Sequence, residues 1–361
     1  MVNQTRITKV QERMRQIDID SIIVPLGINF RWLFGILEDP SERLIIAYIQ
    51  SESEPVLIAP SFEVARFKLL TGIKECIGWE EIENPYSILK KLIPAQNGFK
   101  IALESKMWFT VFNKIANELL FCDFSDTGDI FNHLRAIKDE NEQKSILKAS
   151  KKSGDAIVQT LDELEVGISE MEVQNILKEK LTWNSTGKTS TLVQFGNNSS
   201  FPHYRGGEKR LEKDSVVLID AGGTINDYWG DITITTFFGS APQKFKHVYD
   251  IVYNANKIGK EAVIKNTIPS EIDSQVRGYI KQASYGNYFT HRTGHGIGLE
   301  IHEHPYIFGN NSEALIEGNA FTIEPGIYIP GEFGIRIEDN LIKTKDGYNS
   351  SEIPRYEILE I

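Results

Sequence analysis

Four acidic residues and one histidine stand out because each lies in or beside an apolar run, where a charge is costly. They are Asp220 ending SVVLID, Asp231 opening DITITTFF, Glu324 after FTI, Glu338 after GIRI, and His295 within GHGIG. A carboxylate in a half-buried strand costs several kcal/mol unless a positive group compensates it. Arg336 and Arg292 are the main basic residues nearby, which is too few for four acids. The pattern therefore predicts a pair of divalent cations at this place.

The chemistry that such a set could support is metal-assisted hydrolysis. Four oxygen ligands and one imidazole suit Mn²⁺, Co²⁺, Fe²⁺ or Zn²⁺ and are poor ligands for copper(I). Two cations roughly 3.5–4 Å apart activate a water and polarise a carbonyl, so no serine or cysteine nucleophile is required. Singly, each of these residues is more often a turn, ion-pair or core residue. Together they favour a metal site.

Strand periodicity indicates how the carboxylates could meet. Asp220 and Asp231 can face each other across one hairpin, and Glu324 and Glu338 across the next. The glycines around His295 allow close backbone approach. If the two hairpins lie side by side, the four carboxylates converge on one point.

The same segments resemble the signatures of the pita-bread metallopeptidases, and within them the proline-specific branch of prolidase (Xaa-Pro dipeptidase) and aminopeptidase P. The run 291–305 (HRTGHGIGLEIHEHP) is similar to the histidine signature of that family. The other matching motifs, in the expected order, are IDAG (219–222), GDIT (230–233), IEPGIY (323–328) and RIED (336–339). The resemblance implies a dinuclear-metal hydrolase that cleaves the bond between an N-terminal residue and proline by means of a metal-bridging hydroxide.

The resemblance also implies a role for individual residues. The metal ligands would be Asp220, Asp231, His295, Glu324 and Glu338, of which Asp231 and Glu338 would bridge both ions and Glu324 would also move the proton of the attacking water. The other implied site residues are His203 and His302 in catalysis, His291 and Tyr328 in the substrate pocket, and Arg336 holding a ligand carboxylate in orientation. The cofactors would be two divalent ions, Mn²⁺ or Co²⁺ first, with Zn²⁺ or Fe²⁺ as alternatives.

One departure leaves the substrate length open. Some prolidases carry an arginine directly after His-Glu-x-Pro, where it meets the free carboxylate of a dipeptide, whereas this chain has Tyr306. Arg292 is a possible substitute. Both an Xaa-Pro dipeptide and a longer Xaa-Pro-peptide remain open as substrates.

The elements that must position these residues predict an α+β protein with two domains. Residues 1–126 alternate buried strands (21–25, 44–49, 55–59, 99–103) with short helices (63–70, 86–93), which indicates a smaller N-terminal α/β domain. The turn-rich DTGD (126–129) marks a domain boundary, and residues 127–138 are taken as a linker. Residues 139–361 show two helices and then a hairpin, twice, which predicts a pita-bread catalytic domain with pseudo-two-fold symmetry.

Composition limits the partners and the alternatives. A net charge of −11 over 361 residues disfavours nucleic acid as a partner, and no apolar run is long enough to cross a bilayer. With no signal-peptide pattern, a cytoplasmic enzyme is expected, and the resemblance implies a homodimer. Two alternatives are an aminopeptidase of other specificity on the same fold and a non-catalytic binding module, although such modules typically lose ligands and this chain has all five.

Overall fold

The computed structural model describes residues 4–182, 188–265, 267–351, 353, 360 and 361. The chain divides into two compact units, Met1–Arg135 and Ala136–Ile361. Among the described residues, no helix combines the length and the hydropathy needed to span a membrane.

The first unit is built on a mixed six-stranded sheet in the order β4-β3-β2-β1-β5-β6. In chain order its described elements are α1 (Gln4–Gln16), β1 (Ser21–Pro25), α2 (Ile28–Phe34), β2 (Ile46–Gln50), β3 (Val56–Pro60), α3 (Ser61–Thr71), β4 (Glu75–Trp79), α4 (Tyr86–Leu92), β5 (Phe99–Leu103), α5 (Phe109–Glu118), β6 (Cys122–Asp126) and α6 (Gly128–Ala136). The apolar runs that predicted strands form β1, β2, β3 and β5, and β1 to β3 are almost entirely buried. Alternation of strands with helices thus predicted the α/β layering of this unit.

Helix α6 lies where the sequence predicted a linker. The turn-rich stretch caps this helix, because the Asp126 carboxylate accepts a hydrogen bond from the Gly128 N–H at 2.5 Å. Ile130 and Phe131 on the helix are fully buried. An aspartate just before a helix has the same composition as a turn, so the two are hard to separate by sequence.

The second unit contains two antiparallel sheets and a separate two-stranded ribbon. In chain order its described helices and strands are α7 (Glu140–Leu161), α8 (Glu170–Lys180), β7 (Thr189–Phe195), β8 (Ser215–Ile225), β9 (Tyr228–Phe238), α9 (Gln243–Lys265), α10 (Pro269–Gln282), β10 (Gly294–Gly296), β11 (Glu303–Ile307), β12 (Ala320–Ile323), β13 (Gly326–Ile329), β14 (Phe333–Arg336), β15 (Asp339–Lys343) and β16 (Tyr348–Ser350). The sheets have the orders β7-β8-β9 and β11-β10-β12-β15-β16, and the ribbon is β13-β14. A helix pair followed by antiparallel strands occurs twice, as predicted.

Local sequence explains where the long helices begin and which face they bury. Asp139 and Glu142 form a capping box at the start of α7, and Ser169 and Glu172 form the predicted capping box of α8. The apolar stripe of α9, which includes Phe245, is buried among strands of the same unit. These helices hold the sheets whose strands carry the five predicted ligands.

Candidate active site

The first carboxylate pair lies on the β8–β9 hairpin. Asp220 pairs with Thr233 in the ladder, and Asp231 pairs with Gly222. The sequence suggested that the two aspartates face each other directly across the hairpin. In the structure they are instead diagonal neighbours on one face of the sheet. The diagonal still keeps both carboxylates on the same side of the sheet.

The second pair lies where a long hairpin changes sheet. Glu324 follows β12 and Glu338 precedes β15, and the last ladder pair before them is Ile323 with Asp339. Beyond the glutamates the chain continues as the β13–β14 ribbon, in which Gly326 pairs with Arg336. Both glutamates thus lie at the break between the two pairings.

His295 is held tightly by its neighbours on both sides. A Cβ atom on Gly294 would lie 1.9 Å from the Thr322 carbonyl oxygen, and one on Gly296 would lie 2.3 Å from the His304 backbone. Only glycine fits at these two positions. The imidazole Nδ1 lies 3.1 Å from the Gly296 carbonyl oxygen, which can only accept, so Nδ1 carries the proton and Nε2 is a lone-pair donor.

The five groups converge. Ligand atoms of Asp231, His295 and Glu338 all lie within 4.8 Å of one another. The His295 Nε2 lies 3.4 Å from Glu324 Oε1 and 4.0 Å from Asp231 Oδ2. We refer to Asp220, Asp231, Glu324 and Glu338 as the carboxylate cluster.

The electrostatics of the carboxylate cluster are unfavourable to four negative charges. Burial, followed by the charges of Asp220 and Glu324, raises the pKa of Asp231 well above its usual value. Burial and then the charge of Asp231 do the same to the pKa of Glu338, and burial is the main cause that raises the pKa of Glu324 to about 7. Burial lowers the pKa of His295 well below its usual value, so this imidazole is neutral.

The donor set fits divalent cations. The Oδ1 atom of Asp231 is buried and accepts no hydrogen bond from the described residues. The lone pair of His295 Nε2 points at carboxylate oxygens, which is repulsive unless a cation lies between them. Neutral imidazole and carboxylates are ligands that Mn²⁺, Co²⁺, Fe²⁺ and Zn²⁺ accept.

Three polar residues that the sequence reading missed orient these ligands. The Thr233 hydroxyl donates to Glu338 Oε2 at 2.7 Å, and the Asn340 side-chain oxygen accepts from the Asp231 N–H at 2.8 Å. The Thr322 hydroxyl accepts from the His295 N–H and donates to Glu324 Oε1. Thr233, Thr322 and Asn340 each lie two residues from an acid of the cluster. That period-two spacing is the signal that could have found them.

A buried hydrogen-bonded chain supports Asp220. The Arg336 guanidinium donates to Asp220 Oδ2 at 2.6 Å and to the Tyr328 hydroxyl at 3.0 Å. The Tyr328 hydroxyl lies 2.8 Å from His291 Nε2, and His291 Nδ1 lies 2.7 Å from the Arg292 carbonyl oxygen. Because that carbonyl only accepts, Nδ1 is protonated and Nε2 accepts from tyrosine. Burial first, then the charge of Arg336, lowers the pKa of His291 to about 3.

The cluster opens into a cavity of about 970 Å³. All five predicted ligands line it, together with His203, His291, His302 and Arg336. Tyr328 is not among the lining residues, because its hydroxyl is held behind His291 and Arg336. The His302 ring lies 4.1 Å from the His295 ring, and desolvation followed by the charge of Arg292 lowers the pKa of His302.

The departure at Tyr306 has a structural counterpart. The Arg292 guanidinium carbon lies over the Tyr306 ring, 4.5 Å from its centroid. Arg292 lines both the main cavity and a second, more open one of about 560 Å³ that Tyr306 also lines. The structure thus places the Arg292 guanidinium against Tyr306, the position at which some prolidases carry an arginine.

Comparison with known proteins agrees with this arrangement. Residues 144–345 match the model of metallopeptidase family M24, and residues 6–137 match the Creatinase/Prolidase N-terminal domain. The chain belongs to metallopeptidase family M24. This confirms the predicted family and fold class and identifies the chain as a metallopeptidase.

Individual relatives span the whole chain. An uncharacterized peptidase of Staphylococcus aureus (strain bovine RF122 / ET3-1) is 32% identical over 348 residues, which is 95% of this chain and 97% of that protein. The crystal structure of a prolidase from Thermococcus sibiricus superposes with a TM-score of 0.90 at 31% identity and covers 100% of both chains. An Xaa-Pro dipeptidase from Bacillus anthracis superposes with a TM-score of 0.89 at 27% identity and covers 99% of both chains.

Proposed function

We propose that this metallopeptidase hydrolyses the bond between an N-terminal residue and proline, in an Xaa-Pro dipeptide or Xaa-Pro-peptide. The observation that carries the proposal is that ligand atoms of Asp231, His295 and Glu338 lie within 4.8 Å of one another, in a cavity that Asp220, Glu324 and further histidines also line. Similarity over the full chain to a prolidase and an Xaa-Pro dipeptidase supports the choice of proline.

The cofactor in this proposal is a pair of divalent cations, Mn²⁺ or Co²⁺ first. They would be held by Asp220, Asp231, His295, Glu324 and Glu338. When bound, such a pair supplies a hydroxide at neutral pH and polarises the scissile carbonyl. The buried Oδ1 of Asp231, which accepts no hydrogen bond from the described residues, supports its assignment as a ligand.

Glu324 is the acid that we assign to proton transfer. The Glu324 side chain is 13% exposed and the Asp220 side chain is 23% exposed, whereas that of Asp231 is 6% exposed. Asp220 is held in an ion pair by Arg336 through Oδ2, so one of its two oxygens is already engaged. Glu324 therefore reaches the cavity without a bound arginine, as a group that accepts and returns a proton must.

His203 and His302 would contact the substrate from the cavity wall. The lowered pKa of His302 leaves it neutral near pH 7, so one ring nitrogen can donate a hydrogen bond to the developing oxyanion. Arg336, Tyr328 and His291 form a positioning chain in this proposal. Arg336 orients Asp220, and Tyr328 and His291 hold Arg336 in place.

The test is an assay of purified protein that has been chelated and then reloaded with Mn²⁺, Co²⁺ or Zn²⁺ in turn. We expect cleavage of Ala-Pro or Ala-Pro-Ala and little cleavage of the matched Ala-Ala and Ala-Ala-Ala. Equal rates on the alanine peptides would indicate an aminopeptidase of other specificity. Absence of cleavage with every metal, together with fewer than two bound metal equivalents, would indicate the binding module instead.

Two further parts of the proposal concern the whole protein. We infer that the protein is a cytoplasmic homodimer. We also infer that residues 139–361 form the catalytic domain, since all the proposed site residues lie in that range. Sedimentation of the loaded protein tests the dimer, and a monomer at assay concentration would contradict it.

A further inference from the structure

Gln194 on strand β7 is a polar side chain that is fully buried. Its side-chain nitrogen lies 2.8 Å from the Phe201 carbonyl oxygen and 2.6 Å from the Tyr204 carbonyl oxygen. Both carbonyls can only accept, so the NH₂ end of the amide faces them and each of its N–H groups has one acceptor. A buried amide that uses both donors on the backbone restrains that backbone, because breaking either bond leaves a buried polar group unsatisfied.

The two carbonyls mark the ends of the turn that carries His203. The Tyr204 N–H donates to the Phe201 carbonyl oxygen at 3.1 Å, which closes a four-residue turn. Pro202 is the second residue of this turn, where the fixed φ of proline is favoured, and His203 is the third. The Gln194 amide therefore bridges the first and last carbonyls of the turn whose imidazole lines the cavity.

The rest of this loop is anchored by other bonds. Before the turn, the Ser199 hydroxyl accepts from the Gly334 N–H at 2.8 Å. After the turn, the Gln174 side chain donates to the Arg205 carbonyl oxygen. Because both bonds remain when the Gln194 amide is removed, the loss of that amide should release the turn and not the whole loop.

The place of the imidazole depends on the backbone of the turn. His203 is exposed, so packing does little to hold its ring. A further contact to the turn, from the Arg336 guanidinium to the Pro202 carbonyl oxygen, is longer at 3.4 Å. The two shorter bonds from Gln194 are therefore the main restraint that we identify on this backbone.

We propose that Gln194 is a positioning residue for His203, because its side-chain amide holds both ends of the turn and so presents the imidazole to the substrate in one place. This inference rests on the proposed Xaa-Pro hydrolase function, in which His203 contacts the substrate. The amide bonds to the turn and not to a proposed metal ligand. Its loss should therefore reduce turnover without releasing metal.

The main test is a double-mutant cycle with His203. Gln194→Met removes both hydrogen bonds at nearly constant volume. We expect kcat on Ala-Pro or Ala-Pro-Ala to fall by about 10- to 100-fold, because a misplaced group loses much of its effect, while KM and the metal content stay within about twofold. His203→Ala alone should lower kcat by about 10²-fold. In the His203→Ala background, Gln194→Met should lower kcat by less than about twofold further, since residues that act as one unit are not additive.

Gln11 in the first unit is the matched control. Its side-chain nitrogen also bridges two backbone carbonyls, those of Gln50 at 2.9 Å and Ser53 at 2.7 Å. Gln11→Met thus loses the same two kinds of bond and should leave kcat unchanged.

Gln194→Glu keeps the size of the side chain and takes the place of Gln194→Met if the methionine variant does not fold. Burial favours the protonated carboxyl, which has one donor for the two carbonyls. Its kcat should therefore lie between those of the wild type and Gln194→Met. The same cycle with His203→Ala applies to it.

The ring signals of isotope-labelled histidine give a readout that does not depend on turnover. The chain has seven histidines, and the His203 signal is assigned by its loss in His203→Ala. In chelated protein, Gln194→Met should shift or broaden that signal, because the turn then samples more than one position. Gln11→Met should leave the signal unchanged.

The outcomes distinguish this inference from the function on which it rests. If the wild type cleaves no Xaa-Pro substrate with any metal, the proposed function fails, and the histidine spectra still test whether Gln194 positions His203. If the wild type cleaves but Gln194→Met lowers kcat equally with and without His203, the function stands and the role of Gln194 is overturned. An unchanged kcat in Gln194→Met, or an equal fall in Gln11→Met, would overturn it as well.

Discussion

Two buried acidic regions of the second unit differ in how their charge is compensated. Glu303 forms a buried ion pair with Lys138 at 2.8 Å, with side-chain exposures of 7% and 1%. The carboxylate cluster contains four acids, against which lie the Arg336 guanidinium, 2.6 Å from Asp220, and the neutral imidazole of His295. One region is balanced by the protein, whereas the other requires positive charge from outside.

This difference in charge compensation distinguishes a structural acid from a functional one. Glu303 stands directly after His302 in the histidine motif, so its place in the sequence does not distinguish it from a ligand. Its lysine partner comes from 165 positions away in the chain. Buried pairs are neutral to stability as long as both partners remain, whereas an uncompensated cluster is unstable until a cation binds.

The largest expected effect is that of Asp231→Asn, which removes one charge from the cluster. Activity should fall by about 10³-fold or more, because a proposed metal ligand loses its charge. Metal content should fall with it. The melting temperature of the chelated variant should equal or exceed that of the chelated wild type, since repulsion is relieved. Full activity in this variant would contradict the assignment of Asp231 as a metal ligand.

Lys138→Met should have the opposite effect on stability. It leaves Glu303 buried without its ion-pair partner, so the free energy of unfolding should drop by about 3–5 kcal/mol in urea titrations. The double variant Lys138→Met/Glu303→Leu should recover most of that loss. Metal content at a temperature where the variant is folded should be unchanged. If Lys138→Met were as stable as the wild type, Lys138 would not be what compensates the buried charge of Glu303.

His302→Ala tests whether a histidine that lies beside the carboxylate cluster acts in catalysis without binding metal. We expect the same metal content as in the wild type and a kcat lower by about 10²-fold, the usual range for loss of a group acting in the transition state. Metal analysis and steady-state kinetics measure both. Loss of metal would instead place His302 among the ligands.

The smallest effect concerns pH in the chelated protein. Burial raises the pKa of Glu324 from 4.5 to about 7, so between these values the folded state holds a proton that the unfolded state has lost. Stability from this group is complete below about pH 4.5 and is lost as pH rises through about 7. The melting temperature of chelated protein should therefore decrease from pH 5 to pH 7, and saturating metal should remove that decrease. An increase over the same interval would contradict the repulsion attributed to the cluster.

Much of the site was predictable because its signals are local. Asp220 and Asp231 lie on strands whose apolar residues indicate burial of the strands. The glycines beside His295 indicate a close backbone approach. The capping box at Ser169 likewise requires only four consecutive residues. The helix in the predicted linker was missed because Asp126 reads equally as a turn residue and a cap.

The order of residue types along the chain was enough to identify the buried strands, their period, and hence the set of acids that needs cations. The three-dimensional fold was needed to show that Glu303 is paired with Lys138 and that Arg292 lies over Tyr306. It also decided that Tyr328 lies behind the cavity wall. The physical reason is that alternation is a property of neighbouring residues, whereas charge compensation depends on side chains that packing brings together from distant parts of the chain.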